Sequence, residues 1–177
     1  MNYSGITKCD TANGLGCRTT LWVSGCRCRC PGCHNPQTWD FKAGQEFTKS
    51  AKEELFEAAS KPYIAGLTFS GGNPLEPENT LALSEIAKEF KQLCPEKTIW
   101  VYCGDILTFK DIFGPGFGAT DRTQFAPKLF RYCDVAVDGP FIQSERDITL
   151  AFRGSRNQRI IDIKKTYEQG EIVCLNL

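Results

Sequence analysis

Histidine occurs once in these 177 residues, and neither sign of charge is in excess: 21 Lys and Arg balance 21 Asp and Glu. A neutral chain offers no basic footprint for a phosphate backbone, which excludes the usual nucleic-acid binder. No apolar run approaches the roughly 18 residues that a membrane helix needs. The opening residues, MNYSGITKCD, carry no basic segment leading into an apolar stretch, so no secretory signal is expected. Repeats, low-complexity tracts and a GxxxxGK phosphate loop are also absent. These exclusions leave one cytoplasmic domain of ordinary composition, 41% apolar and 24% charged. A chain of this length buries roughly 70% of its extended surface, enough for a core without staples.

Cysteine, by contrast, is plentiful: there are ten. In a reducing compartment clustered thiols point to metal or redox chemistry rather than to disulfides. Four of them fall within CRCRCPGC (26–33), and His34 follows directly. Cys26, Cys30 and Cys33 are spaced CxxxCxxC, so three thiolates of one short loop can converge on one metal centre. Iron–sulfur clusters take thiolate ligands. Three ligands on a four-iron cube leave one iron open, as catalytic metal sites keep a position open. Cys28 permits other selections, a four-thiolate zinc site among them. Zinc sites usually combine two separated pairs, however, and no second CxxC follows. His34 adjoins Cys33 and is poorly placed as a fourth ligand. Cys28 otherwise reads as a bystander thiol. Cys9, Cys17, Cys94, Cys103, Cys133 and Cys174 are scattered and read as packing residues, with Cys103 nearest the expected site.

The elements around this loop follow from periodicity and punctuation. TKSAKEELFEAASK (48–61) predicts a helix; Ser50 and Glu53 have capping-box spacing, and Thr48 is a rival N-cap. PENTLALSEIAKEFKQLC (77–94) puts Leu83, Ile86, Phe90 and Leu93 on one helical face before Pro95 stops it. RTTLWVSG (18–25), AGLTFSGG (65–72), KTIWVYCG (97–104) and CDVAVDG (133–139) read as strands, and EIVCLNL (171–177) is a candidate last one. FGPGFGAT (113–120) reads as a flexible loop. Strands alternating with helices, with continuous apolar runs, predict an α/β fold with a mostly parallel sheet flanked by helices. Ligands in such sheets sit at the carboxyl ends of the strands. The cysteine loop and SGGNP both follow strand ends, so they are expected at the same rim. Alone, SGGNP would read as a tight turn. Asp138 and Gly139 are placed at that rim too. Arg153 and Asn157 read as solvated side chains, and Trp39 as a packing anchor.

VSGCRCRCPGCHNPQTWD resembles the cluster loop of radical S-adenosylmethionine enzymes, and in particular of the activating proteins of glycyl-radical enzymes. NGLGCRTTLWVSGC, LTFSGGNPL, PEKTIWVYCG, VAVDGPF and FRGSRNQR occur in the order expected of members that serve anaerobic ribonucleoside-triphosphate reductase, over roughly residues 1–160. The resemblance implies a single domain (1–177) built as a partial (β/α) barrel. It implies a 4Fe-4S cluster on Cys26, Cys30 and Cys33, with the open iron chelated by the amine and carboxylate of S-adenosylmethionine. Gly32, Cys33 and His34 would lie against the adenine side, and Gly71, Gly72 and Asn73 would receive the methionine ammonium group. One electron from flavodoxin or a similar donor would cleave the cofactor to a 5′-deoxyadenosyl radical. That radical would take a hydrogen from a glycine Cα of the reductase's large subunit. The cofactor then carries the hard chemistry, and no catalytic acid, base or nucleophile is expected of the protein.

Asn73 stands where the family usually has Asp or Glu; it brings an amide oxygen but no charge. VYCGD replaces a more usual Thr-Gly-Tyr strand ending, and the stretch 114–125 and the tail after about 160 are additions. Two other functions are compatible with the residues: a radical S-adenosylmethionine enzyme of small molecules, such as a deazapurine carboxylate synthase, and a non-catalytic zinc-binding module.

Overall fold

A computed structural model describes residues 1–114, 118 and 120–177. Of the flexible loop expected at 113–120, residues 115–117 and 119 fall outside them. The described residues form one sheet of seven strands: β1 (Asn2–Asp10), β2 (Arg18–Val23), β3 (Gln45–Glu46), β4 (Gly66–Gly71), β5 (Thr98–Tyr102), β6 (Val135–Asp138) and β7 (Arg159–Asp162). Five helices accompany them: α1 (Lys49–Ala59), α2 (Pro77–Leu93), α3 (Phe109–Phe113), α4 (Ala126–Phe130) and α5 (Ile163–Gln169). None is long and apolar enough to cross a membrane.

The strand order is β3-β1-β2-β4-β5-β6-β7. Strands β2, β4, β5 and β6 run parallel and in chain order. The pairings β1–β2, β1–β3 and β6–β7 are antiparallel. The fold is α/β as expected, but the sheet is mixed, which corrects the mostly parallel one. The extra strands are edge pieces without a continuous apolar run. β1 buries only Tyr3 and Asp10, and β3 is exposed at both residues. One-sided burial of this kind is normal at antiparallel edges and gives little hydrophobic signal. The tail strand expected at 171–177 is reduced to a single bridge from Cys174 to Ile161.

Alternate residues of the central strands face two different interiors. Leu21, Val23, Leu67, Phe69, Ile99, Val101 and Ala136 pack with Leu55, Leu83, Ile86, Phe90 and Leu129 into the main core beneath the helices. On the other face, Trp100, Val135, Val137 and Ile160 form a smaller cluster. Fully buried Arg18 lies beside it, donating to Thr68 Oγ1 (2.8 Å), Thr98 Oγ1 (3.0 Å) and the carbonyls of Leu67 (2.6 Å) and Thr98 (2.9 Å). Its guanidinium stands 5.4 Å from the Trp100 ring centre, and burial lowers its pKa to about 10.

In α1 the cap is Thr48, whose hydroxyl accepts from Ala51 N–H at 3.3 Å, and not Ser50. In α2 Leu83, Ile86 and Phe90 are buried as their spacing predicts, but Leu93 is 58% exposed. Cys94, four residues beyond Phe90, takes the buried position instead. Cys94, Cys103 and Cys133 are packing residues as expected, whereas Cys174 is exposed. Cys9 and Cys17 form a disulfide with their Cα atoms 5.4 Å apart, which corrects their reading as packing residues. The antiparallel β1–β2 register shifts between Thr7 and Asp10, and Cys9 lies within that irregularity, one residue before the Asp10–Arg18 pair.

Candidate metal and cofactor site

Val23 and Gly71 pair at the carboxyl ends of the neighbouring parallel strands β2 and β4. The cysteine loop and the glycine turn therefore leave the sheet side by side, as expected. Hydrogen bonds lace them together. Gly72 N–H donates to Val23 O (2.7 Å), Asn73 N–H to Gly25 O (2.9 Å) and Asn79 Nδ2 to Ser24 O (2.9 Å). Arg27 N–H donates to Glu76 Oε1 (2.8 Å). A Cβ at Gly72 would stand 2.5 Å from Gly25 O, so only glycine lets the two backbones approach this closely. From its other side the loop is held by Gly25 N–H to Thr38 O (2.7 Å) and Cys26 N–H to Trp39 O (3.1 Å). Arg27 spans both walls: it lies 4.3 Å over the Phe41 ring and pairs with buried Glu76 and with Glu78.

Cys26, Cys28, Cys30 and Cys33 are all free and half-buried. The Cys28 thiol donates to the Cys26 sulfur. That bond pulls the Cys26 pKa down to about 7 against the opposing effect of burial, and it holds Cys28 well above an ordinary thiol. Burial raises Cys30. Cys33 accepts from Asn35 N–H at 3.3 Å. Cys28 is no surface bystander: Arg122 Nη1 stands 3.4 Å from its sulfur, and a Cβ at Gly104 would stand 2.6 Å from it.

The donor set fits an iron–sulfur cluster. The thiols are soft ligands, unspent in disulfides, and one already favours its thiolate. Among the described residues no three His, Cys, Asp or Glu side chains gather around one point as a single ion demands. A four-iron cube instead takes each thiolate on a different iron.

Two later segments close over the loop. Gly32, in the left-handed region at φ 74°, faces the Gln143 and Phe141 side chains. The His34 ring lies 5.2 Å from Phe141, and Gly154 sits beside both. Arg153 and Asn157 are half-buried rather than solvated: Arg153 Nη1 donates to Gln158 O (3.2 Å) and Asn157 Nδ2 to Pro140 O (2.8 Å). Arg153 Nε, Asn157 Oδ1 and Trp39 Nε1 are buried without a hydrogen-bond partner among the described residues. Trp39 is half-buried outside the two core clusters and braces Cys26 through its carbonyl. Asp138 does not line the rim. It is buried, pairs with Arg159 and accepts from Leu107 N–H at 2.8 Å. Gly139 does reach the site's edge, donating N–H to Asp105 O at 2.9 Å.

The sequence reading passed over Asp105, Glu76 and Arg122. Asp105 follows the end of β5 and is buried. Its Oδ2 accepts from Asn73 Nδ2 at 2.7 Å and its Oδ1 pairs with Arg122 Nε at 2.6 Å. The available signal was the altered ending of VYCGD. Asp105, Arg122, Arg27, Gly104 and Pro140 line a cavity of about 680 Å³ beside the loop, within the range of small-molecule sites.

Residues 12–161 match the sequence profile of the 4Fe-4S single cluster domain. The chain is 39% identical over 160 residues to the anaerobic ribonucleoside-triphosphate reductase-activating protein of Enterobacteria phage T4, covering 90% of this chain and 93% of that protein. It is 38% identical over 162 residues to the protein of the same name from Vibrio cholerae, covering 90% and 97%. It is 34% identical over 160 residues to that from Escherichia coli K12, covering 89% and 96%.

Proposed function

Because this chain belongs to the 4Fe-4S single cluster domain family, and within it to the anaerobic ribonucleoside-triphosphate reductase-activating proteins, we propose that it is the enzyme that installs a glycyl radical on that reductase. The observation that carries this reading is the lacing of the cysteine loop to the glycine turn at one end of the parallel strands. Cys26, Cys30 and Cys33 would hold the cluster, with one iron left for S-adenosylmethionine. When bound, the two groups together supply one-electron cleavage of a carbon–sulfur bond, giving a 5′-deoxyadenosyl radical able to take a hydrogen from glycine.

The chain's own residues bind and position. Gly71 and Gly72 keep the turn free of side chains, so its backbone can meet the methionine end of the cofactor. Gly32, Cys33 and His34, packed against Phe141, would border the adenine side. Holding reactants in place makes a step effectively unimolecular, which is what a protein without a catalytic acid or base contributes here.

The in-order parallel run β2-β4-β5-β6 supports reading the sheet as the partial barrel of the radical S-adenosylmethionine type, in one domain. With crossovers of constant hand, α1, α2 and the α3–α4 pair lie on one face. A glycine loop of the reductase's large subunit would approach from the rim at the carboxyl ends of the parallel strands, where the cysteine loop and the glycine turn lie. The reduced electron donor, flavodoxin or one like it, would reach the cluster from the exposed side of the loop. Free thiols in such a loop suit the cytoplasm.

The test is anaerobic reconstitution with iron and sulfide, followed by EPR of the dithionite-reduced protein. A four-iron signal that changes on adding S-adenosylmethionine is the expected result. A zinc-loaded protein, or a cluster signal indifferent to the cofactor, would sink the reading.

A further inference from the structure

The glycine turn has a neutral residue where its expected ligand calls for charge. Asn73 is 1% exposed, and both ends of its amide are committed. The oxygen accepts from Leu75 N–H at 3.1 Å, and the nitrogen donates to Asp105 Oδ2 at 2.7 Å. These partners fix the amide's orientation: a backbone N–H can only donate and a carboxylate can only accept. What Asn73 turns toward Cys28 is therefore a donor, 3.9 Å from the Cys28 sulfur. An amide donor repels an amino group. The nearest negative charge is Asp105, one contact further, reached from the end of β5 and 8% exposed. Its second oxygen is held by Arg122, whose guanidinium also touches the Cys28 sulfur. Arg122 comes from the 114–125 addition, so carboxylate and counter-ion both lie at places where the chain departs from the family's pattern.

We propose that Asp105, and not Asn73, supplies the negative charge for the amino group of S-adenosylmethionine, and that Arg122 holds that charge while the cofactor is absent. This inference rests on the function proposed above. Gly104 makes the approach possible: a Cβ there would stand 2.6 Å from the Cys28 sulfur, which would have to move aside. Arg122 competes with the cofactor for Asp105, so its ion pair sets affinity as well as holding the empty site together. Asp105 is a positioning residue for the cofactor, and its role is one of charge rather than shape.

The experiment measures S-adenosylmethionine affinity by EPR titration of the reconstituted, reduced protein, with iron content as the control. Asp105→Asn keeps the size and removes the charge; affinity should fall about 10- to 100-fold, the range of one charge-assisted hydrogen bond. Moving the charge back, in the double variant Asn73→Asp with Asp105→Asn, should restore affinity to within about threefold of the parent. A merely structural role for Asp105 would not produce that rescue. Arg122→Gln should tighten binding several-fold. Should Asp105→Asn fail to fold or to hold iron, Arg122→Gln decides alone. Unchanged affinity in Asp105→Asn, or unchanged or weaker affinity in Arg122→Gln, overturns the inference. A parent protein whose cluster signal ignores the cofactor overturns the proposed function instead.

Discussion

Cys26 and Cys28 share a proton in the metal-free protein, and their inequality has a measurable sign. The Cys28 thiol donates and the Cys26 sulfur accepts, so Cys26 ionises near pH 7 while Cys28 stays protonated. Only thiolates alkylate. The iodoacetamide rate at Cys26, followed by peptide mass, should therefore rise through pH 7 and level off above it. Cys28→Ala removes the donor, and the midpoint should climb toward that of an ordinary thiol; an unmoved midpoint would show that Cys28 is not the cause. The same variant should keep its iron after reconstitution, whereas Cys26→Ala, Cys30→Ala and Cys33→Ala should each lose it. CxxxCxxC was legible because side chains proposed to share one compact centre on one loop must be close in sequence. Asp105 and Arg122 were not. Their partners Asn73 and Cys28 lie 32 and 94 residues away; the altered VYCGD ending marks Asp105 as unusual but does not name its partner.

At the scale of elements, α2 and the glycine turn were read well because their rules are local. Helical spacing predicted the buried face of α2, and its one failure is instructive. Leu93 has the right period, but Cys94 occupies the last buried place before the chain turns away. Phe90→Ala should cost roughly 3–5 kcal/mol in denaturant unfolding, since it empties a fully buried site. Leu93→Ala should stay within about 0.5 kcal/mol. Equal losses at the two positions would contradict the packing described here. At the turn, Gly72→Ala sets a methyl group against Gly25 O, a backbone atom that cannot rotate away. The variant should fold and yet retain roughly half or less of the parent's iron, because the strain falls on the loop that carries Cys26. Full iron content would show that the loop tolerates separation from the turn.

For the whole molecule, the parallel centre was legible and the edges were not. Central strands advertise themselves by apolar residues, whereas β1 and β3 earn their places through backbone pairing that side chains barely record, and β7 offers only the short pair Ile160 and Ile161. The face opposite the helices was also hidden, because Arg18, Thr20 and Thr68 look like surface residues until Trp100 is seen beside them. Such a molecule divides into a firm interior and a lightly tied loop. Hydrogen exchange on the metal-free protein should find the amides of β2, β4 and β5 the slowest. Residues 26–35 should exchange orders of magnitude faster, apart from Cys26, Arg27, Cys33 and Asn35, whose N–H groups are bonded. Uniform protection across loop and sheet would mean that the loop is braced by more than these bonds.

The lacing between the two site segments also sets an order of events in synthesis. Arg27 meets Glu76 across a separation of 49 residues, and Val23 meets Gly71 only when β4 has docked. Closing so long a loop costs entropy that must be met before any of these bonds forms. The four thiols therefore leave the ribosome ahead of the wall that shelters them. Metal delivered at that moment meets a loose peptide that can ligate it in many ways. Metal delivered after β4 has docked meets a loop already held from both sides, so correct loading of this protein is a matter of timing.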